Sequence, residues 1–428
     1  MKIINNLFGD SLLKNSIYLM ATNFIASIFA FFFWIIAARY YTPDDIGIGS
    51  AIFSSISLIA MIGTIGLPSS LVFYLTRDKN TDKMISSCLT AGIISSIIFS
   101  LIYISGLKFW TPELMSVLNN YTNILIFIFV TTSLVISSLM TAILVAGKKA
   151  SYIMTKETVF HFIKMFPLIL FAGYGAMGIL ISMSVGLMIS IPLGFILLYK
   201  VWKYLPRISL DPIIYNMASY SAGNYVAFIF YSIPVLTLPI IILNMISAKA
   251  AGYFYIAIMI ANFLYGISQS ISNSLFAESS DTDKFLNNIN KSIKFSMLIL
   301  IPGVLILGIF GKLILSIFNP AYAENAYGTM LILIIASIPG SLISMYNTVR
   351  YSQRRVTSVI VMNMMIAIMT IIISIPLIGI MNIEGAAVSY LIANLIGASV
   401  VISRIKDPKQ FTLRLLSDIK DNVLSINS

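Results

Sequence analysis

The stretch TPDDIGIGSAIFSSISLIAMIGTIG, residues 42–66, and the stretch SAKAAGYFYIAIMIANFLYGISQSI, residues 247–271, decide how this chain is read. Each is a polar turn feeding an apolar run, and the two stand 205 positions apart with Gly47 on Gly252. Farther along, Asp78-Lys79 falls on Asp283-Lys284, the basic turn AGKKAS (146–151) on SQRRVT (352–357), and Gly178 on Gly385. Their common order and near-constant spacing imply that the chain is a duplication.

The duplicated unit is a set of membrane-spanning helices. The chain has 428 residues, 58% of them hydrophobic and 10% charged, with mean hydropathy +0.94. A soluble domain carries about 25% charged residues. In lipid every backbone polar group must be satisfied internally, so the apolar runs are expected to be helices. Runs of spanning length cover Ile17–Ala38, Ile46–Leu75, Met84–Leu107, Ile124–Ala146, Thr158–Gly173 and Ala176–Tyr199 in the first half. The second half supplies Ala218–Ile242, Ala251–Phe276, Ile293–Phe310, Ala326–Val349, Val356–Ile378 and Ile383–Ile402. The fold class is therefore an all-α integral membrane protein of about 12 transmembrane helices, six per half. An even number per half gives both halves the same orientation, hence two pseudo-symmetric bundles facing a central cavity.

The expected domains are residues 1–200, a cytoplasmic linker at 201–216, the second bundle at 217–403 and an amphipathic cytoplasmic tail at 404–428. Residues 1–15 read as a retained cytoplasmic lead-in. Basic residues orient the chain, because cytoplasmic loops collect Lys and Arg. With both termini inside, 22 of the 27 basic residues fall in cytoplasmic segments, among them Lys148, Lys149 and Lys156. Arg39, Lys108, Lys249 and Lys312 fall outside, and Lys164 falls within a span. The net charge of +11 is an orientation signal and an attraction to anionic lipid head groups, with no call for nucleic acid. One cysteine and one histidine cannot build a disulfide framework or the common zinc sites, so neither metal nor cofactor is expected.

NSIYLMATNFIAS (15–27), YYTPDDIGIGSAI (40–52), IGLPSSLVFYL (65–75), AGKKASY (146–152) and GAMG (175–178) resemble the polysaccharide biosynthesis or O-antigen type of oligosaccharide-lipid flippase, within the multidrug/oligosaccharidyl-lipid/polysaccharide exporter superfamily. The resemblance covers nearly the whole chain. It implies a cavity that alternates between leaflets and passes a polyprenyl-linked oligosaccharide with its anionic phosphate. Such flippases often carry Arg or Lys deeper in helices 1, 2, 7 or 8, and here those midsections are uncharged.

All sixteen Asp and Glu are assignable to loops, termini or helix ends, which disfavours a cation-coupled drug antiporter needing an intramembrane carboxylate. A polysaccharide polymerase or ligase is disfavoured by short outside loops and a shortage of acid/base groups, so no enzyme activity is expected. In HFIKMFPLILF (161–171), Lys164 lies about 12 Å inside a helix with His161 on the same face. Lys164 either lines the cavity and attracts the lipid phosphate with His161 beside it, or snorkels to the head groups. Arg39 either receives phosphate on the outer side or anchors at the interface with its tyrosines. Asn23, Asn224 and Asn262 are intramembrane amides for sugar hydroxyls or for interhelical hydrogen bonds. The partners expected are a lipid-linked oligosaccharide and membrane lipids, with a monomer as the default and glycan-assembly enzymes as candidate associates. The expected location is the cell membrane.

Overall fold

The structure, a computed structural model, describes residues 11–77, 80–277 and 282–405. Every regular element among them is helical, as a chain that must satisfy its own backbone in lipid requires. Residues 1–10 of the expected lead-in and most of the expected tail, 406–428, lie outside the described residues, and residues 11–15 of the lead-in belong to the first helix.

Ten described helices are long and apolar enough to cross a membrane. One of them, Val356–Ile405, has 50 residues and would be about 75 Å long if straight, more than twice a bilayer core. It breaks at Asn382, whose φ of 52° and ψ of −135° are not helical, and is two spans. A further span is itself broken, into Ala150–Ile163 and Met165–Leu170, with Lys164 at the joint.

Spans 1 to 6 are thus Ser11–Tyr40, Pro43–Gly63 continued by Leu67–Tyr74, Thr81–Ser105, Tyr121–Ala146, Ala150–Leu170 with its break, and Ala176–Trp202. Spans 7 to 10 are Ile213–Met245, Ala248–Ala277, Thr282–Phe318 and Tyr327–Ser352; spans 11 and 12 are the arms either side of Asn382. Span 2 breaks at Ile65 and Gly66, both at positive φ, just before Pro68. Span 7 runs as one helix through Pro234 and Pro239.

Two expected boundaries are corrected. Span 9 runs Thr282–Phe318 rather than Ile293–Phe310. Span 5 begins at Ala150 rather than Thr158, directly after the basic turn. Lys156 and Glu157, assigned above to a cytoplasmic loop and a helix end, are therefore inside the helix.

The duplication is written into the backbone. Lys148 and Arg354 both take positive φ, 54° and 57°. Around them Lys149 N–H donates to Leu144 O and Arg355 N–H to Arg350 O, at 3.0 and 2.9 Å. Gly175 (φ 56°, ψ −143°) and Asn382 (φ 52°, ψ −135°) repeat the same bend ahead of spans 6 and 12. At Gly178 a side chain would overlap the Phe171 carbonyl, and at Gly385 the Leu377 carbonyl. A Cβ on Gly47 would strike Ala248 O, and one on Gly252 would strike Pro43 O. That reciprocity, residue i on partner j and j on partner i, is what a twofold relation produces.

The motif YYTPDDIG is a tie between turns. Thr42 caps span 2 in a capping box with Asp45, and the other Asp45 oxygen accepts from Ala176 N–H at 3.1 Å. Tyr41 Oη donates to Leu168 O at 2.7 Å. Burial, with the Asp45 carboxylate next to it, pushes the Tyr41 phenol up to about 12, so it remains a donor.

The molecule divides into two compact units. The first comprises the described residues through Tyr225 with Pro239–Gly252, and its core joins Leu71, Met84, Cys88, Leu139, Ile143 and Leu198. The second comprises Val226–Leu238 and the described residues from Tyr253 on, with a core around Ile343, Tyr346, Met362 and Ala393.

Gly47→Ala should lower the melting temperature of the purified protein in detergent by several degrees, because backbone must move to admit the methyl. Gly379→Ala, with nothing within 4 Å, should leave it unchanged or raise it, since alanine is the better helix former by about 1 kcal/mol. Equal melting of Gly47→Ala and wild type would refute the contact.

Candidate functional site

Span 5 carries two buried lysines of the first unit. Lys156 and Lys164 are eight residues apart and Glu157 follows Lys156, so all three lie near one side of the helix. Span 6 meets that side with glycine: a Cβ on Gly194 would approach Lys156 Cδ at 3.3 Å, and one on Gly186 would approach Lys164 Cβ at 3.1 Å. Two lysine stems thus lie against two gaps in an antiparallel neighbour.

Lys156 is fully buried. Its ammonium donates to Ser137 O at 3.1 Å and Ser137 Oγ at 2.6 Å, and pairs with Glu157 Oε1 at 2.8 Å. Glu157 Oε1 also accepts from Thr141 Oγ1 at 3.3 Å, and the carboxylate is 23% exposed. All three donor positions of the ammonium are occupied, as a buried ion pair requires.

Lys164 is placed differently. It is 6% exposed, and its ammonium lies 4.5 Å from the Phe33 ring centroid and 4.9 Å from that of Phe160. Among the described residues it has ring faces for partners and no hydrogen-bond acceptor. His161, one turn earlier, stacks on Phe29 with centroids 6.5 Å apart and tilts against Phe160 at 4.9 Å. Its Nδ1 is buried without a hydrogen-bond partner among the described residues.

Lys164 and His161 belong to this cluster. Arg39 is exposed at the end of span 1, and Asn23, Asn224 and Asn262 are exposed on spans 1, 7 and 8. Sequence reasoning missed Lys156, Glu157, Ser137 and Thr141. The signal was present: Ala150 stands to AGKK as Val356 stands to SQRR, so the duplication itself sets the start of span 5. It also missed a cavity of about 40 Å³ in the second unit, bordered by Tyr231, Tyr265, Tyr390, Asn363 and Asn394. No cluster of three or more metal-ligating side chains occurs among the described residues.

The family described as polysaccharide biosynthesis protein matches residues 12–276, well over half of the chain. The chain belongs to that family. No curated protein matches the sequence. Among solved structures, this polysaccharide biosynthesis protein is similar to lipid II flippase MurJ in an inward closed conformation, at 16% identity and a TM-score of 0.72, covering 94% of this chain and 91% of that one. It is also similar to a multidrug resistance MATE family transporter in an inward-facing conformation, at 13% identity and 0.70, covering 92% and 96%. A third is a transporter of the MOP superfamily from Pyrococcus furiosus, at 13% and 0.62, covering 95% and 96%. The family member is a multi-pass helical membrane protein with the fold these transporters share.

Glu157→Ala should destabilise the protein by about 3 kcal/mol, the cost of stripping one partner from a buried pair. Replacing both, Lys156→Met with Glu157→Leu, should recover most of that loss. Equal melting of Glu157→Ala and wild type in detergent would show that the pair contributes nothing.

Proposed function

We propose that this protein flips a polyprenyl-phosphate- or pyrophosphate-linked oligosaccharide from the cytoplasmic to the outer leaflet by alternating access, with Lys164 drawing the phosphate and His161 as its hydrogen-bonding neighbour. Family membership and the transporter fold support the class of activity. The observation that carries the cargo is the lone ammonium of Lys164.

Its depth favours this use over snorkelling. With span 5 starting at Ala150, Lys164 is about 21 Å along the helix, nearly twice the depth inferred from sequence. That is beyond the middle of a hydrocarbon core of about 30 Å, and the ammonium is turned onto the rings of Phe33 and Phe160, buried among its neighbours, rather than extended along the helix toward either end. The two ring contacts are worth about 0.5–2 kcal/mol each. Hydrogen bonds between charged groups are worth about 1.5–3 kcal/mol each, and a phosphate oxygen offers several. An arriving phosphate therefore outcompetes the rings for the ammonium.

Charge also argues against a cationic drug as cargo, on new grounds. A carboxylate does lie inside the membrane span, but Glu157 is already neutralised by Lys156. With Lys164 the cluster sums to one positive charge, which selects an anion. Arg39 on the outer side is the candidate second station for the phosphate, and the exposed amides Asn23, Asn224 and Asn262 are candidates for sugar contact.

Cells lacking the protein should accumulate lipid-linked oligosaccharide in the cytoplasmic leaflet, scored by its inaccessibility to an enzyme added outside. Wild type should relieve this. Lys164→Met, which keeps the stem and drops the charge, should flip at least about tenfold more slowly at equal protein level, the loss of one charged hydrogen bond. Full rescue by Lys164→Met would remove Lys164 from the mechanism.

A further inference from the structure

The second unit contains a polar surface without charge. Span 8 has the lowest mean hydropathy of the ten candidate spans, 1.6 against values up to 2.5. The cause is a stripe: Asn262, Gly266, Gln269, Ser270 and Asn273 recur at helical spacing and are all exposed. At about 100° per residue they occupy an arc of about 100° on one face, over about 16 Å of helix. Exposed amides inside a span face water or a polar cargo, because leaving them against lipid costs several kcal/mol each.

The stripe continues into the cavity described above. Gln269 donates through Nε2 to Asn273 Oδ1 at 3.1 Å and borders the cavity. Ser344, also on its wall, donates to Ser272 Oγ at 2.8 Å. Tyr265 and Tyr390 hold their rings 6.0 Å apart, and Tyr265 Oη donates to Leu333 O at 3.2 Å. Asn394 Nδ2 donates to Tyr390 O at 2.8 Å, leaving its oxygen toward Gly340, which also lines the space. Tyr231 is 47% exposed and presents a ring at the mouth. Neither the stripe nor the cavity wall includes Asp, Glu, Lys, Arg or His; Lys291 shares a separate groove with Ser270, at the edge of the stripe.

We propose that this surface is a glycan subsite selective for uncharged sugars bearing hydroxyl and acetamido groups. The proposal rests on the flippase reading and specifies its cargo. Amides and phenols both donate and accept, which matches hydroxyls and acetamido groups, whereas a uronate carboxylate calls for a cation that the cavity wall and the residues of the stripe lack. Size fixes the arrangement. A cavity of about 40 Å³ has room for a few waters or one hydroxymethyl arm and excludes a sugar ring, so rings lie along the span 8 stripe with an arm directed inward.

The test uses detached sugars, so that it stands apart from the lipid phosphate. Saturation-transfer NMR on the purified full chain in detergent should show transfer to N,N′-diacetylchitobiose and markedly less to a disaccharide of glucuronate and N-acetylglucosamine. Gln269→Leu with Asn273→Leu should weaken chitobiose binding roughly fivefold, the equivalent of one neutral hydrogen bond. Gly379→Ala, with nothing within 4 Å of the added methyl, should leave it unchanged. Tyr390→Phe, which removes a hydroxyl and keeps the ring, should shift binding the same way and serves if the leucine pair fails to fold. No transfer to chitobiose in wild type, unchanged binding in both variants, or equal binding of the uronate would overturn the proposal. Undecaprenyl phosphate binding on the same samples judges the flippase reading separately: its absence with chitobiose binding intact would sink that reading and keep the glycan site.

Discussion

A buried ammonium needs a counter-charge, and span 5 holds two ammoniums for one carboxylate. Taking an ion out of water costs several kcal/mol even after relaxation. Lys156 recovers that through Glu157 and two Ser137 oxygens. Among the described residues Lys164 has the faces of Phe33 and Phe160 against its ammonium and no hydrogen-bond acceptor, which returns less. The imbalance separates the two lysines by role. One is saturated and structural; the other is held in place with its hydrogen-bonding capacity unspent. Gly186 and Gly194 make both possible, since a bulkier span 6 would push the lysine stems off the interface.

Most of the fold was legible because lipid leaves a chain few options. Apolar length and the placement of Lys and Arg gave spans that agree with the observed helices within several residues except at spans 5 and 9. The failure at span 5 has a definite cause. The segment ASYIMTKETVF contains Lys156 and Glu157, and a hydropathy reading scores each as a full charge in lipid. Paired at 2.8 Å they are far less costly than their sum. Hydropathy adds residues independently, and this pair is not independent. The duplication carried the missing information, since the turns at Lys148 and Arg354 have the same conformation and each starts a helix two residues later.

The candidate sites were less legible because their partners are remote in sequence. Lys164 was conspicuous as a charge among apolar neighbours. Phe33, which faces its ammonium, is over a hundred residues away, and nothing local links them. The tyrosine cavity draws on spans 7, 8, 10, 11 and 12 with one or a few residues from each, so no short motif exists to be read. Asn262 was visible as a lone amide. Its meaning lies in the exposed company of Gln269, Ser270 and Asn273, which tells a polar track from an isolated interhelical hydrogen bond.

Charge counting also bears on what drives the cycle. On the flippase reading, the empty cluster of Lys156, Glu157 and Lys164 carries one positive charge. Binding a pyrophosphate of two or more negative charges reverses the sign. A membrane potential, negative inside, acts on each elementary charge with about 2.3 kcal/mol per 100 mV. It would therefore favour outward movement of the loaded form and inward return of the empty one, so both halves of the cycle run with the field and no ion gradient is required. Proteoliposomes with the potential set by valinomycin and potassium should flip a fluorescent undecaprenyl pyrophosphate faster when the compartment matching the cytoplasmic side is negative, and slower when the sign is reversed. Equal rates at both signs would mean that the cluster's charge is compensated during transport and that the energy comes from elsewhere.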